Sequence, residues 1–174
     1  ISRLLMSMSF IDLKMLDCEA SRAAVDMAIA PCSALEAEFA EDLTNPFLGL
    51  RGIRLCLARP DLLREQFRAI LGSVGLTRLH IMLPMVTQLS ELRLARQMLD
   101  EEILALGLTQ RPKLGIMIEV PAAALMADLF APLVDFFSIG TNDLTQYTLA
   151  IDRGHPTLSG QADGLHPAVL RLIG

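Results

Sequence analysis

Two carboxylates stand where the sequence could build a metal site. Glu119 directly follows the apolar run Lys113–Ile118, and Asp143 comes shortly after the run Val134–Ile139. If these runs are neighbouring parallel strands, their carboxyl ends lie about 5 Å apart. Mg²⁺ is often held by one or two carboxylates, with substrate oxygens and water completing its shell. The pattern predicts a Mg²⁺ site, with a buried ion pair at Glu119 and a helix cap at Asp143 as structural alternatives.

Groups able to bind an anion lie close to the same turn. Gly140 ends the apolar run and lets backbone approach a ligand closely, and Asn142 offers an amide. Arg153 is a permanent cation whose planar guanidinium group can bind two phosphate oxygens at once. The alternative for this stretch is a capped turn followed by a surface arginine. We therefore expect an anion site formed by Asn142 and Arg153.

Alternating strands and helices must position these side chains. Near-continuous apolar strands between helices are typical of a parallel sheet covered by helices. Right-handed crossovers then bring all the carboxyl ends to one edge. By pattern alone, part of a barrel and an open doubly wound sheet are both compatible with three clear strands. The predicted strands are Leu79–Leu83, Lys113–Ile118 and Val134–Ile139, and the predicted helices are Asp61–Leu71, Leu89–Leu106, Pro121–Phe130 and one beginning at His166-Pro167.

The amphipathic helix Leu89–Leu106 gives a specific expectation about the core. Its apolar residues recur at roughly helical spacing, and Gly107 is a typical stop signal. The residues that we expect to face the core are Leu92, Leu94, Met98, Leu99, Ile103 and Leu106.

Composition narrows the class of protein. The chain has 174 residues, 52% of them hydrophobic, which suits one domain with a sizeable core. A formal net charge of -5 argues against general nucleic-acid binding. Cys18, Cys32 and Cys56 lack metal-ligand spacing and favour reduced thiols in a cytoplasmic protein. The most apolar region, residues 114–140, carries three acidic residues and two prolines, and is a poor candidate for a membrane span.

Three segments carry a resemblance to a known family. They are DFFSIGTNDLTQYTLAIDR at 135–153, NPFLGLRGIRL at 45–55 and GIMIEVPAAA at 115–124. The sequence resembles enzyme I of the phosphoenolpyruvate:sugar phosphotransferase system, or the equivalent part of the fused multiphosphoryl transfer proteins. The resemblance implies an α/β fold, part of a (β/α)₈ barrel with parallel strands, over residues 44–174. Residues 1–43 match poorly and could be helical around Pro31.

The resemblance also implies a function. The family uses Mg²⁺, held by residues matching Glu119 and Asp143, and binds phosphoenolpyruvate through residues matching Arg51, Asn142 and Arg153. The full enzyme transfers phosphate to a protein histidine, releases pyruvate, passes the phosphate to a phosphocarrier protein and forms a homodimer. We expect this chain to be a phosphoenolpyruvate–protein phosphotransferase fragment.

Some of the family's catalytic groups have no counterpart in this sequence. His80, His155 and His166 lie outside the Gly-Gly-x-x-Ser-His context of the acceptor histidine. The proton-donating Gly-x-Cys-Gly-Glu loop and the upstream Arg-Thr-x-Asp-x-Gly motif are not present either, and Cys56 is expected in the core. Two other functions stay open: a non-catalytic module for dimerisation or regulation, or a decayed remnant, and a Mg²⁺-dependent lyase or aldolase acting on pyruvate or a related oxo-acid.

Overall fold

A computed structural model describes residues 12–13, 47–72, 76 and 79–174. Their strands form one sheet in which neighbours in space are neighbours in sequence. Three strands are parallel, as predicted, and the fourth, a two-residue strand, pairs antiparallel with the first of them. The strands are β1 (Asp12–Leu13), β2 (His80–Leu83), β3 (Lys113–Ile118) and β4 (Phe136–Ile139).

Helices connect the parallel strands and begin where the sequence signals it. Pro60, Pro121 and Pro167 each occupy the first position of a helix, where proline costs no hydrogen bond. The predicted helix Pro121–Phe130 is divided in two at Met126. The helices are α1 (Ile53–Ala58), α2 (Pro60–Leu71), α3 (Leu89–Ala105), α4 (Pro121–Leu125), α5 (Ala127–Phe130), α6 (Thr141–Leu149) and α7 (Pro167–Ile173), with short 3₁₀ turns at Ala131–Leu133 and Ser159–Gln161.

The register of the parallel strands sets the position of the candidate site. Leu83 lies opposite Ile116, and Ile118 lies opposite Ile139, so β2, β3 and β4 end at one edge of the sheet. This confirms the expectation that the strand ends preceding Pro84, Glu119 and Gly140 share one edge. The polar residues that follow them are therefore neighbours in space.

The core lies between the sheet and the helices α2 and α3. Alternate residues of the strands face these helices and are excluded from solvent, because successive strand side chains point to opposite faces. Residues that are fully or almost fully buried here include Leu63, Phe67, Ile81, Leu83, Leu92, Leu114 and Ile116.

The expected core face of α3 was partly wrong. Leu94 and Leu106 are exposed, at 44% and 45% of their surface, while Ala95 and Glu102 are buried. Leu94 lies two residues, about 200° of helix rotation, after Leu92, and therefore cannot share its face. Leu106 lies beyond the last residue of α3. The buried Glu102 pairs with Arg64 and Arg68 of α2, which a pattern based on apolar residues does not detect.

The described residues test several of the expectations only in part. The segment 1–43 lies outside the described residues apart from β1, so its predicted character is untested. The described parallel strands are too few to close a barrel, which has eight strands, and β4 pairs on one side only within the described sheet. Among the described helices, none is long and apolar enough to cross a membrane.

Candidate functional site

The candidate site is built where β3 and β4 end. Glu119 is the first residue after β3, and Asp143 lies in the first turn of α6, which begins directly after Gly140. A Cβ atom at Gly140 would lie 2.7 Å from Met117 Sδ and 2.8 Å from Glu119 Cβ. Because real Cβ atoms do not approach that closely, only glycine lets the two strand ends come together. Gly140 thus brings the two carboxylates to one place.

A strained backbone residue holds Glu119. The Met85 N–H donates to Glu119 Oε1 over 2.6 Å, and Met85 has a φ of 58°, in the left-handed region that is unfavourable for residues with a side chain. Gly52 faces it from the chain segment before α1, and a Cβ there would lie 2.8 Å from Met85 Cβ. Backbone strain of this kind is concentrated at functional sites. Met85 therefore orients Glu119 through a main-chain donor.

The environment of Glu119 favours binding of a proton or a cation. Burial, above all, raises the pKa of Glu119 to about 7, and the nearby Asp143 carboxylate also raises it, against the lowering effects of the Met85 N–H and Arg51. Only 5% of the Glu119 surface is exposed. A divalent cation bound between the carboxylates would offset the unfavourable burial of negative charge.

Two arginines neutralise Asp143. Arg51 Nη2 donates to Asp143 Oδ2 over 3.2 Å, and both side chains are buried. Arg153 Nη2 lies 2.9 Å from Asp143 Oδ1, but that oxygen accepts no aligned hydrogen bond from the described residues, so the contact is an ion pair. Each Asp143 oxygen thus faces a different guanidinium group. Arg51 and Arg153, which are distant in sequence, meet at one carboxylate.

Neighbouring side chains hold the arginines in place. The Phe47 ring lies 5.8 Å from the Arg51 guanidinium carbon and 5.6 Å from that of Arg153, within cation–π range. Arg51 Nη1 also donates to the Tyr147 hydroxyl over 3.2 Å. The backbone N–H of Arg153 donates to Gln146 Oε1, also over 3.2 Å. Two aromatic side chains and a buried amide therefore fix the positions of the two cations.

The structure brings together four of the five predicted site residues. Asn142 is next to Asp143 but exposed, and its amide has no hydrogen bond to the described part of the chain. Sequence reasoning missed Phe47, Met85, Gln146 and Tyr147. Gln146 and Tyr147 had a usable signal, since they follow Asp143 by three and four residues and so lie on the same side of the helix.

The histidines and Cys56 lie outside this cluster. The Nδ1 atom of His155 accepts backbone N–H groups from Thr157 and Leu158, and that of His166 accepts the N–H of Ala168 at the start of α7. His80 packs edge-on against Phe136 at the start of β2. Cys56 is buried in the core. The described contacts of these four side chains are those of structural residues.

The donor set suits a cation that keeps open positions. Within residues 47–72 and 79–174, no three histidine, cysteine or acidic side chains cluster closely enough to enclose a metal by themselves. Two carboxylates, however, match Mg²⁺, which commonly retains water and substrate oxygens among its ligands. Glu119 and Asp143 fit that cation better than a structural metal with a complete protein shell.

Comparison with known proteins identifies relatives. A family profile described as "PEP-utilising enzyme, PEP-binding domain" matches residues 6–174. A multiphosphoryl transfer protein of Rhodobacter capsulatus is 57% identical over 129 residues, covering 74% of this chain and 16% of that protein. A phosphoenolpyruvate-protein phosphotransferase of Staphylococcus epidermidis is 51% identical over 134 residues, covering 74% of this chain and 23% of that protein. The chain therefore spans less than a quarter of the length of these relatives.

A solved structure offers a weaker likeness. A citrate lyase from Burkholderia xenovorans superposes on 64% of this chain and 34% of its own, with a TM-score of 0.47 and 24% sequence identity.

Proposed function

Since the chain belongs to the PEP-utilising enzymes through their PEP-binding domain, we propose that it binds phosphoenolpyruvate together with Mg²⁺ at the carboxyl ends of β3 and β4. The observation that carries the proposal is the pairing of Arg51 and Arg153 with Asp143, beside the buried Glu119. Two carboxylates and two guanidinium groups there form a site for a cation and an anion together. Phosphoenolpyruvate carries both a phosphate and a carboxylate and requires this kind of charge complementarity.

Glu119 and Asp143 are the proposed cation ligands. Met85 holds one oxygen of Glu119 through its N–H, which limits the orientations of that carboxylate. Asp143 has one oxygen near each arginine, so a cation must compete with them. When bound, Mg²⁺ would neutralise charge on the phosphate oxygens that separate during transfer.

Arg51 and Arg153 are the proposed anion ligands. Both already meet at one carboxylate, so an anion arriving with a cation at Asp143 could exchange places with that carboxylate. Planar guanidinium groups bind phosphate and carboxylate oxygens in pairs, which orients the substrate as well as neutralising it. Asn142 is exposed at the start of α6 and can add an amide donor to a bound ligand.

The wider reaction requires groups beyond this site. We propose that the chain is part of a (β/α)₈ barrel in a phosphoenolpyruvate–protein phosphotransferase, with residues 44–174 forming the substrate-binding part. In that reaction the phosphorus–oxygen bond to the enol breaks, a phosphorus–nitrogen bond forms on a protein histidine, and the enolate takes a proton to become pyruvate. A phosphocarrier protein and a second copy of the barrel are the proposed partners.

The relatives favour this function over the alternatives. The two relatives are a phosphoenolpyruvate-protein phosphotransferase and a multiphosphoryl transfer protein, and neither name indicates a lyase or a non-catalytic module.

Calorimetry on the intact chain tests this proposal. Phosphoenolpyruvate should bind weakly and only with Mg²⁺, and Asp143→Asn or Arg153→Ala should each lower affinity by about tenfold or more, because each removes a charge-assisted contact. Matched controls are Asp128→Asn and Arg93→Ala, which change exposed residues elsewhere. Absence of binding by a folded sample, or equal losses in the controls, would refute the site. Pyruvate release by the chain alone would show that the transfer groups were misassigned.

A further inference from the structure

Tyr147 connects the site to the chain segment before α1. Its hydroxyl accepts a hydrogen bond from Arg51 Nη1 over 3.2 Å and donates one to the carbonyl oxygen of Phe47. The two partners lie 96 and 100 residues away in sequence. Met85 Sδ lies 3.8 Å from the same oxygen. A single phenol group therefore joins α6 to Arg51 and to the backbone that precedes it.

The direction of these hydrogen bonds follows from the donors available. A phenol has one proton, and a guanidinium group has donors only. The Arg51 contact therefore uses a lone pair of the Tyr147 oxygen, and the proton is left for Phe47. The carbonyl of Phe47 is a stronger and closer acceptor than the thioether of Met85. The result is two consecutive hydrogen bonds, in which Arg51 donates to Tyr147 and Tyr147 donates to the Phe47 carbonyl oxygen.

Arg51 is held at two points by one helix. Its Nη2 contacts Asp143, and its Nη1 contacts Tyr147. Residues four apart share a helix face, so one planar guanidinium can span both. The contact with Asp143 is charged, whereas the contact with Tyr147 is not. Only the charged contact is open to competition from a cation.

We propose that Tyr147 is a positioning residue that keeps Arg51 oriented for the phosphate when a cation occupies Asp143. The expected effect on phosphoenolpyruvate binding rests on the function proposed above. The restraint of the Arg51 side chain by Tyr147 does not depend on that function. A cation at Asp143 weakens that residue's attraction for Arg51, whereas the neutral Tyr147 hydroxyl still accepts a hydrogen bond from Arg51 Nη1. Arg51 can be released from the carboxylate without losing its orientation.

The chemistry of a phenol suits this role. Burial, chiefly, together with the Asp143 and Glu119 carboxylates, holds the pKa of the Tyr147 phenol above its usual value despite the lowering effect of Arg51. The hydroxyl thus stays neutral and keeps the proton that it donates to Phe47. Because the Phe47 ring also lies against Arg51 and Arg153, the residue whose carbonyl oxygen accepts this hydrogen bond also supports both cations.

Arginine side-chain NMR tests the hold on Arg51 without any substrate. Restricted rotation of a guanidinium group gives distinct Nη resonances, and loss of a signal in Arg51→Lys identifies those of Arg51. Tyr147→Phe keeps the ring but removes the hydroxyl, and we expect Arg51 to rotate about tenfold faster or more, with a larger effect when Asp143→Asn has removed the charged contact. Thr148→Val is the matched control, because it removes a hydroxyl from α6 that has no hydrogen-bond partner within the described residues.

Ligand titration separates this role from a general loss of structure. Tyr147→Phe should lower the affinity for phosphoenolpyruvate about tenfold in Mg²⁺. Because Tyr147→Phe loses two hydrogen bonds and Thr148→Val loses none, the titration is done well below the midpoint of thermal unfolding of both variants, where both are folded. Unchanged Arg51 rotation in Tyr147→Phe, with and without Asp143→Asn, would overturn the proposal. Equal affinity of Tyr147→Phe and the native chain for phosphoenolpyruvate would overturn its consequence for substrate. If the native chain binds no phosphoenolpyruvate, the function proposed above fails, and the rotation measurement still decides whether Tyr147 holds Arg51.

Discussion

A proton and a divalent cation would compete for the carboxylate of Glu119. The raised pKa, about 7 compared with an ordinary value of 4.5, means that the folded chain holds a proton there that the unfolded chain has released. This contribution to stability is fully present below pH 4.5 and is lost as the pH rises through 7. Glu119 therefore makes the chain less stable at neutral pH than in mild acid, unless a cation takes the place of the proton.

Denaturation at several pH values tests this effect. Between pH 5 and pH 8 we expect the Glu119 contribution to the free energy of unfolding to fall by an amount on the order of 3 kcal/mol. Glu119→Gln should remove this part of the pH dependence, because an amide does not titrate. The exposed Glu65→Gln is the control and should keep the native profile. A profile for Glu119→Gln that parallels the native one would contradict the prediction.

The residues of the site differed in how far sequence could predict them. Glu119 and Asp143 could be placed together because each follows a strand, and parallel strands end at one edge. Arg51 has no such local signal, and its role as an anion ligand depended on a family resemblance. The Met85 N–H could not be foreseen, because a left-handed backbone at a methionine leaves no trace in composition or periodicity.

At the scale of the element, the end of α6 contains a correctable strain. Ala150 follows the last residue of this helix in the left-handed conformation, with a φ of 54°, and its N–H binds the carbonyl oxygen of Gln146. Glycine adopts this conformation at helix ends without steric cost. Ala150 therefore stands at a position that favours glycine.

Introducing glycine at one left-handed position should therefore stabilise the chain, and removing glycine from another should destabilise it. We expect Ala150→Gly to raise the free energy of unfolding by about 0.5 kcal/mol, the relief of strain exceeding the added freedom of the unfolded chain. Gly107, beyond the end of α3, has a φ of 66°, so Gly107→Ala should lower it by about 1 kcal/mol. Thermal denaturation measures both, and the same sign for the two changes would refute the argument.

The strands β3 and β4 depend on a glycine beneath an aromatic ring. A Cβ atom at Gly115 would lie 2.6 Å from the Phe136 ring and 2.6 Å from the Phe136 carbonyl oxygen. Because the backbone oxygen belongs to the sheet, it cannot move aside. Gly115→Ala should therefore cost about 2 kcal/mol of stability. Urea denaturation measures the loss, and Gly160→Ala, where a Cβ would meet no atom within 4 Å, should be nearly neutral.

Elements were easier to predict than the faces they bury. The boundaries of β3 matched the prediction, because a charged start, an apolar run and a following glutamate delimit it. The face of α3 was harder, because leucines lie all around that helix and the buried Glu102 is stabilised by arginines of α2. The arginine partners of Glu102 can be identified only once the packing of α2 against α3 is known.

At the scale of the whole molecule, β4 is the last strand on one side of the sheet that the described residues form. No described strand pairs with its outer edge, and two apolar residues of β4, Phe137 and Ile139, are 39% and 48% exposed. Unpaired edges with exposed apolar residues promote association. We therefore expect this chain to self-associate in solution.

Light scattering over a range of concentrations tests this expectation. Phe137→Glu should shift the chain toward monomer, because charge on an edge strand opposes pairing. Leu104→Glu is the control, since Leu104 is 80% exposed on α3, away from β4, and should leave the association unchanged. A native chain that stays monomeric at all concentrations would contradict the prediction, as would an equal effect of both substitutions.

The long separations within the candidate site have a consequence for the order of folding. Arg51 contacts Asp143 and Tyr147 across 92 and 96 residues, whereas paired strands such as β3 and β4 are much closer in sequence. Closing a longer loop costs more chain entropy, and non-local contacts slow folding. The site should therefore assemble after the parallel strands have paired. Tyr147 is the only tyrosine and the chain has no tryptophan, so its fluorescence would record the slowest kinetic phase of refolding, at which the chain first becomes able to bind its ligands.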